Sequence, residues 1–252
     1  MNFSGISSNT FLGKLLRLPL RLLPPGMVMP ILQGRMRGMK WVVGSGEHGY
    51  WLGWYEYRKR QSFEREIKPN SVFFDIGANV GYFSLLAAKL SKPKGHVYAF
   101  EPLPRNIKFI HKHIALNHLA KYISVIEAAV SDKNGSAHFD RGASTAMGHI
   151  SYQGQLEVQL VSLDELYSKD QIPAPDYIKV DVEGAEYEVL NGARRILQTR
   201  RPILFLDTHA RSAHDKTVAL LQELGYSLEC IDGKALPDSK EILAKPMNEF
   251  KN

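Results

Sequence analysis

SVFFDIGANVGYFSLLAA, Ser71 to Ala88, decides the class of fold. Three apolar residues, Val72, Phe73 and Phe74, run into Asp75. A glycine turn follows, Gly77-Ala-Asn-Val-Gly81, and then an apolar, helix-patterned segment from Tyr82 to Leu90. Strand, tight turn and helix in that order open a nucleotide-type βαβ unit. Glycine lets the backbone pass close to a ligand, and the N–H groups at a helix start can receive polar ligand atoms.

The turn is not a dinucleotide fingerprint. G-x-G-x-x-G would need glycines where Asn79 and Tyr82 stand. The spacing is instead Asp-x-Gly-x-x-x-Gly, which resembles the first motif of class I S-adenosylmethionine-dependent methyltransferases, with Asp75, Gly77 and Gly81 in the matching places. A looser loop of this kind suits an amino-acid moiety, with an acidic residue near its amine. The next strand, His96 to Phe100, ends at Glu101, 20 residues after Gly81. A carboxylate at that strand tip is placed to accept hydrogen bonds from both hydroxyls of a ribose. The competing reading is a carboxylate that caps the helix starting near Pro104; the pairing of the two motifs at this distance favours the ligand.

Working outward, the chain of 252 residues has room for one large α/β domain with an N-terminal extension. We divide it at 70, with a basic and aromatic extension over 1–70 and the cofactor-binding domain over 71–252. An apolar fraction of 44% and a charged fraction of 23% are those of a soluble globular protein. The single cysteine, Cys230, excludes an intrachain disulfide and a cysteine-based zinc site. The net charge of +6 is uneven: the first 70 residues carry 11 Lys/Arg against 4 Asp/Glu. The basic balance belongs to the extension, which argues against a protein built as a nucleic-acid binder.

Phe11 to Leu23, FLGKLLRLPLRLL, is apolar but short and is interrupted by Lys14, Arg17 and Arg21. It is not a membrane span and lacks the small-residue cleavage site of a secretory signal. Two readings stand: attachment to an anionic membrane surface, or packing on the body or a second subunit, which makes a homo-oligomer an open expectation. Packing is favoured. A cytoplasmic location, with or without membrane association, is expected. Gly44 to Glu56, GSGEHGYWLGWYE, joins flexible backbone to aromatics. It reads either as a loop closing over a ligand, with His48 and Glu56 on the substrate side, or as an aromatic plug at one end of the core.

Beyond Glu101, Pro104 to Leu119 reads as a helix whose His111, His113 and His118 share no metal-binding face and are expected at the surface or at an interface. Tyr122 to Ile126 is a third strand, and Ala128 and Ala129 just past its tip are expected near an adenine ring. Ser136 to Leu163 reads as an inserted hairpin or meander, with Ser144 and Thr145 in a polar turn. Tyr177 to Asp181 is a fourth strand ending in Asp181-Val-Glu183-Gly-Ala-Glu186. Three carboxylates at one strand end are costly unless they are used. Ala185 to Thr199 reads as a helix, and Pro202 to Leu206 as a fifth strand ending in Asp207-Thr-His209. Ligands of open α/β sheets lie outside the carboxyl ends of the strands, where Asp75, Glu101, Asp181 and Asp207 fall together. Thr217 to Leu224 is a further helix, and two last strands follow.

The set DIGANVGYFS, YAFEPLPRN, AVSDKNG and IKVDVEGAE, in that order, resembles the FkbM-type methyltransferases over about residues 44–210. The resemblance implies a class I methyltransferase (Rossmann-like) fold, α/β with a seven-stranded, mostly parallel sheet and helices on both faces. It implies S-adenosylmethionine as donor and O-methylation of a hydroxyl on a sugar or natural product. Asp75, Gly77, Asn79, Gly81, Glu101 and Asn106 match the cofactor motifs, with Asp181 beside them. The strand-5 tip reads Asp-Thr-His where the family suggests a glutamate and a histidine.

An alcohol needs a base to take its proton as it attacks. His209 is the first candidate by residue type and strand-tip position, followed by Asp181, Glu183 and Glu186. A metal-assisted variant would use magnesium between Asp181 and Asp207. Two other functions compete: a non-catalytic nucleoside-binding protein or scaffold docked through its basic arm, and an RNA methyltransferase. Intact Gly77, Gly81 and Glu101 argue against the first, and the lack of an RNA-binding module against the second.

Overall fold

The structure, a computed structural model, describes residues 23–140, 149–150 and 156–247. A short ribbon, β1 (Val28–Pro30) and β2 (Lys40–Val42), precedes α1 (Gly49–Leu52) and α2 (Tyr57–Glu66). The βαβ run is β3 (Val72–Ile76), α3 (Tyr82–Ser91), β4 (His96–Phe100), α4 (Pro104–Leu116) and β5 (Ile123–Ile126). Four small-sheet strands follow: β6 (Ala129–Val130), β7 (Gly135–Asp140), β8 (His149–Ile150) and β9 (Leu156–Val161). The chain then forms α5 (Leu163–Ser168), β10 (Tyr177–Val180), α6 (Glu186–Asn191), α7 (Arg194–Thr199), β11 (Ile203–Asp207), α8 (Arg211–Glu223), β12 (Tyr226–Cys230) and β13 (Glu241–Pro246).

The central sheet has seven strands in the order β5-β4-β3-β10-β11-β13-β12. Only β13 runs against its neighbours. The order reverses between β3 and β10, and such a switch point opens a crevice at the carboxyl ends. Register brings Ile76, Val180 and Leu206 side by side, so Gly77, Asp181 and Asp207 leave the sheet on one edge.

The strands are apolar because both faces are covered. On one face α2, α3 and α4 pack Phe63, Phe83 and Ile110 against Phe73 and Phe205; on the other, α5 to α8 pack Leu163, Val189, Ile196 and Leu220 against Phe74, Ile178 and Leu204. The described residues before 70 are not a separate layer. Ile31, Met36, Trp41, Trp51 and Phe63 enter the same core cluster as Phe73 and Phe83, so a division at 70 cuts through continuous packing.

Three local expectations are corrected. The helix over 185–199 is two helices, parted at Gly192 and Ala193, and Gly192 itself passes so close to Ser131 that a Cβ there would lie 2.1 Å from its carbonyl oxygen. His113 is a core residue, not a surface one. Its Nε2 accepts the Val42 N–H at 3.1 Å, its Nδ1 lies 2.9 Å from the Val80 carbonyl, and its ring stacks on Trp41 at 3.8 Å. Burial pushes its pKa down to about 4, so it is the neutral ring that packs. The spacing with Ile110 and Ile114 on α4 would have placed it there. The meander of 136–163 exists as β7, β8 and β9, but it is joined by β6 in a sheet of order β6-β9-β7-β8. Ser144, Thr145 and the apolar arm before Leu23 lie outside the described residues.

Candidate functional site

A cavity opens at the switch point, walled by the glycine turn, the tips of β4, β10 and β11, and the segment carrying Tyr55 and Glu56. The turn is built by backbone geometry. Gly77 has φ of 72° and sits so close to β10 that a Cβ would fall 1.9 Å from the Asp181 carbonyl oxygen, which leaves glycine as the fitting residue. The N–H groups of Gly77 and Ala78 donate to the Phe100 carbonyl at 3.1 and 3.0 Å.

Asp75 does not reach the cavity. It is fully buried beneath the turn, where Oδ1 lies 3.1 Å from the Lys179 ammonium and Oδ2 accepts the Ser84 hydroxyl at 2.5 Å. Lys179 also donates to the Gly77 carbonyl at 3.1 Å and stands 3.7 Å from Asp181. Burial opposes its charge, but Asp75 and Asp181 raise its pKa above the ordinary lysine value. The charged pair thus holds the glycine turn from below. Gly81 likewise lies behind the wall, where a side chain would press on Ile110.

Glu101 faces the cavity and is 4% exposed. Its Oε2 accepts the Asn79 N–H at 2.8 Å; its Oε1 accepts the Leu103 N–H at 3.0 Å and the Asn106 amide at 3.1 Å. Burial pushes the carboxyl up to about 7 against these bonds. The carboxylate therefore also holds the start of α4, through the N–H of its N-cap residue Leu103 and the amide of Asn106, while it borders the cavity. Asn79 and Asn106 line the same wall, and the Oδ1 of each is buried with no hydrogen-bond partner among the described residues. Two unmet acceptors beside a fixed carboxylate are a cradle for a ligand rich in N–H and O–H donors. Ala128 and Ala129 complete that end of the wall with small apolar surface.

Opposite stands an acidic group around one imidazole. His209 Nδ1 is 2.9 Å from Glu186 Oε1, and Nε2 is 3.6 Å from carboxylate oxygens of both Asp181 and Glu183. Burial alone would lower its pKa; the bond to Glu186 and the charges of Asp181 and Glu183 overcome this and push it up to about 9. Asp181 is lowered despite burial, with Lys179, Lys59 and His209 as the causes. Glu186 is fully buried, accepts the Gly184 N–H at 2.9 Å, and does not line the cavity, so it orients the imidazole and has no contact with the open space. One ligand-type atom from each of Asp181, Glu183 and His209 lies within 4.8 Å of the others. Asp207, expected as the magnesium partner of Asp181, is instead 2.7 Å from Lys59.

Two lysines escaped the sequence reading. Lys179 breaks the apolar run of β10, and a lysine inside a central strand was the available signal. Lys59 lies in the charged helix α2 with no signal of its own, yet it is 2% exposed and pairs with Asp207 and Glu56. Of the two weak substrate-side candidates, Glu56 lines the cavity, whereas His48 accepts the Trp51 indole N–H at 3.3 Å and does not. The aromatic segment divides likewise: Tyr50 and Trp51 are core, and Tyr55 reaches the cavity. Glu56, Asn79 and Glu183 hold positive φ of 40°, 50° and 55° around this one space.

The family model described as the methyltransferase FkbM domain matches residues 75–228. The hexuronic acid methyltransferase AglP of Haloferax volcanii is 28% identical over 166 residues, 65% of this chain and 66% of that protein. The 2-O-methyltransferase NoeI of Sinorhizobium fredii is 28% identical over 154 residues, 53% and 62% of the two chains. The matches thus span slightly under two thirds of either relative. Among solved structures, a methyltransferase FkbM from Methylobacillus flagellatus KT superposes with a TM-score of 0.51 at 18% identity, over 79% of this chain and 55% of the other. That likeness is one of fold.

Proposed function

This chain belongs to the FkbM methyltransferase family, and from that premise we propose that it methylates a hydroxyl on a sugar or natural-product acceptor, using S-adenosylmethionine. The carrying observation is Glu101, fixed on three donors at the rim of a cavity that also holds the two unmet asparagine oxygens. The cofactor, when bound, would supply a methyl group whose carbon an oxygen nucleophile attacks in line, with the sulfonium sulfur leaving as a neutral thioether. Glu101 would receive the ribose hydroxyls, Ala128 and Ala129 the adenine side, and Gly77 and Asn79 the amino-acid end. AglP and NoeI by name act on a hexuronic acid and at a 2-hydroxyl, which favours a carbohydrate acceptor here.

His209 is the base in this reading. Glu186 fixes its Nδ1, so Nε2 is the atom that takes the hydroxyl proton. The ligand-free ring is protonated at neutral pH, with a pKa of about 9. The methylation rate is therefore expected to climb with pH up to about 9. Glu186→Gln removes one carboxylate and should move that limb to lower pH; an unmoved limb would remove His209 from the base role. A second reading, favoured by the 4.8 Å convergence of Asp181, Glu183 and His209, is a divalent ion that lowers the hydroxyl pKa instead. Rates in chelator separate the two: they persist with the histidine base and vanish with the ion.

The cofactor site is tested by calorimetry of S-adenosylhomocysteine at several pH values. Ribose hydroxyls bind the ionised Glu101 best, and that form is lost below its pKa of about 7. Affinity should rise about tenfold from pH 6 to pH 8, and Glu101→Gln should flatten the profile. No binding at any pH would end the methyltransferase reading and leave a scaffold role.

A further inference from the structure

The net charge of this protein lies at one end of the chain. Residues 1–46 contain no aspartate or glutamate and six cations, Lys14, Arg17, Arg21, Arg35, Arg37 and Lys40. Six is the net charge of the whole chain, so residues 47–252 are balanced. The last three cations are exposed and make no ion pair among the described residues.

Exposed apolar side chains gather in the same place. Among the described residues the large exposed hydrophobics are Met27, Val28, Leu32 and Met247, at 38, 41, 44 and 37%. Three of these four fall within six residues. They sit on a rigid mount. Ile31 and Met36 are buried, Ile31 exchanges backbone hydrogen bonds with Met39 and Gly38, and Lys40 lies across the ribbon from Pro30. The loop between them presents Leu32, Arg35 and Arg37 outward.

We propose that this face, Met27, Val28 and Leu32 among Arg35, Arg37 and Lys40, docks the protein on an anionic lipid bilayer. Cations held near an anionic surface gain from its potential, and aliphatic side chains gain by entering the acyl boundary. RNA would use the cations alone, since it stacks on aromatic rings and offers aliphatics nothing. The face is also tied to the segment that leads to the cavity. The Leu32 N–H donates to the Trp51 carbonyl at 2.9 Å and the Gln33 amide to the Leu52 carbonyl at 3.3 Å, in the segment that carries Tyr55 and Glu56 to the cavity wall. The inference rests on charge and exposure and not on the methyltransferase reading.

The test is co-sedimentation of the full chain with vesicles of phosphatidylcholine alone and with added phosphatidylserine. Binding is expected only with phosphatidylserine, weakened by salt. The double substitutions Val28→Asp with Leu32→Asp, and Arg35→Glu with Arg37→Glu, should each cut the partition coefficient by about tenfold or more. Both variants should show the cooperative thermal unfolding of the wild type, which shows that they are folded. A wild type that stays in the supernatant overturns the proposal, as do variants that partition unchanged. Retention on single-stranded RNA that needs Arg35 and Arg37 but not Val28 and Leu32, without vesicle binding, would also overturn it and assign the face to RNA.

Discussion

Glu101→Ala should weaken S-adenosylhomocysteine binding by about 10²- to 10⁴-fold while leaving the fold intact. Two ribose hydroxyls donating to one carboxylate are charged hydrogen bonds worth about 1.5–3 kcal/mol each, and alanine removes both. The same change frees the N–H groups of Asn79 and Leu103 and the Asn106 amide, which the carboxylate now satisfies. They border an open cavity, so water can replace it there. The fold loses little because the buried carboxylate is itself strained toward protonation, with a pKa of about 7. Calorimetry measures the loss, and thermal unfolding shows whether the scaffold survives. A variant that binds within a few-fold of the wild type would show that Glu101 is a structural cap and that the ribose lies elsewhere.

The largest effect on stability is expected at Lys179. Its ammonium is fully surrounded by protein and is shared by Asp75, Asp181 and the Gly77 carbonyl. Lys179→Met keeps most of the volume but leaves Asp75, with no exposure at all, as an uncompensated charge. Breaking one side of a buried pair in this way costs about 3–5 kcal/mol. Urea unfolding should show that loss, and cofactor affinity should fall with it because Gly77 loses its tether. The double variant Lys179→Met with Asp75→Asn restores charge balance and should recover part of the stability but not the affinity. A single variant that loses less than about 1 kcal/mol would mean that Asp75 finds another cation or a proton, and that Lys179 does not hold the turn.

The two residues differ in how far the sequence revealed them. Glu101 stood at the end of an apolar run, 20 residues past a glycine turn, where spacing alone places a carboxylate on the ligand edge. Lys179 stood inside an apolar run, and nothing local says whether such a lysine turns outward or is buried against an aspartate directly across on the neighbouring strand. The pairing Lys179↔Asp75 is a matter of register between β10 and β3, which are 104 residues apart. Lys59 is the stronger case: a lysine in a charged helix ends beside Asp207, 148 residues later.

Local signals therefore fixed the elements and their order: the central strands by apolar runs, the turn by glycines that need positive φ or close approach, and the ligand edge by acidic strand tips. These depend on a few consecutive residues and survive in any context. Tertiary structure alone decided what each charge does. It moved Asp75 from ligand partner to buried anchor, gave Asp207 to Lys59, put Glu186 behind His209, and drew His113 into the core. The reason is that burial and partner choice set the cost of a charge, and both depend on residues distant in sequence that the fold brings within 4 Å.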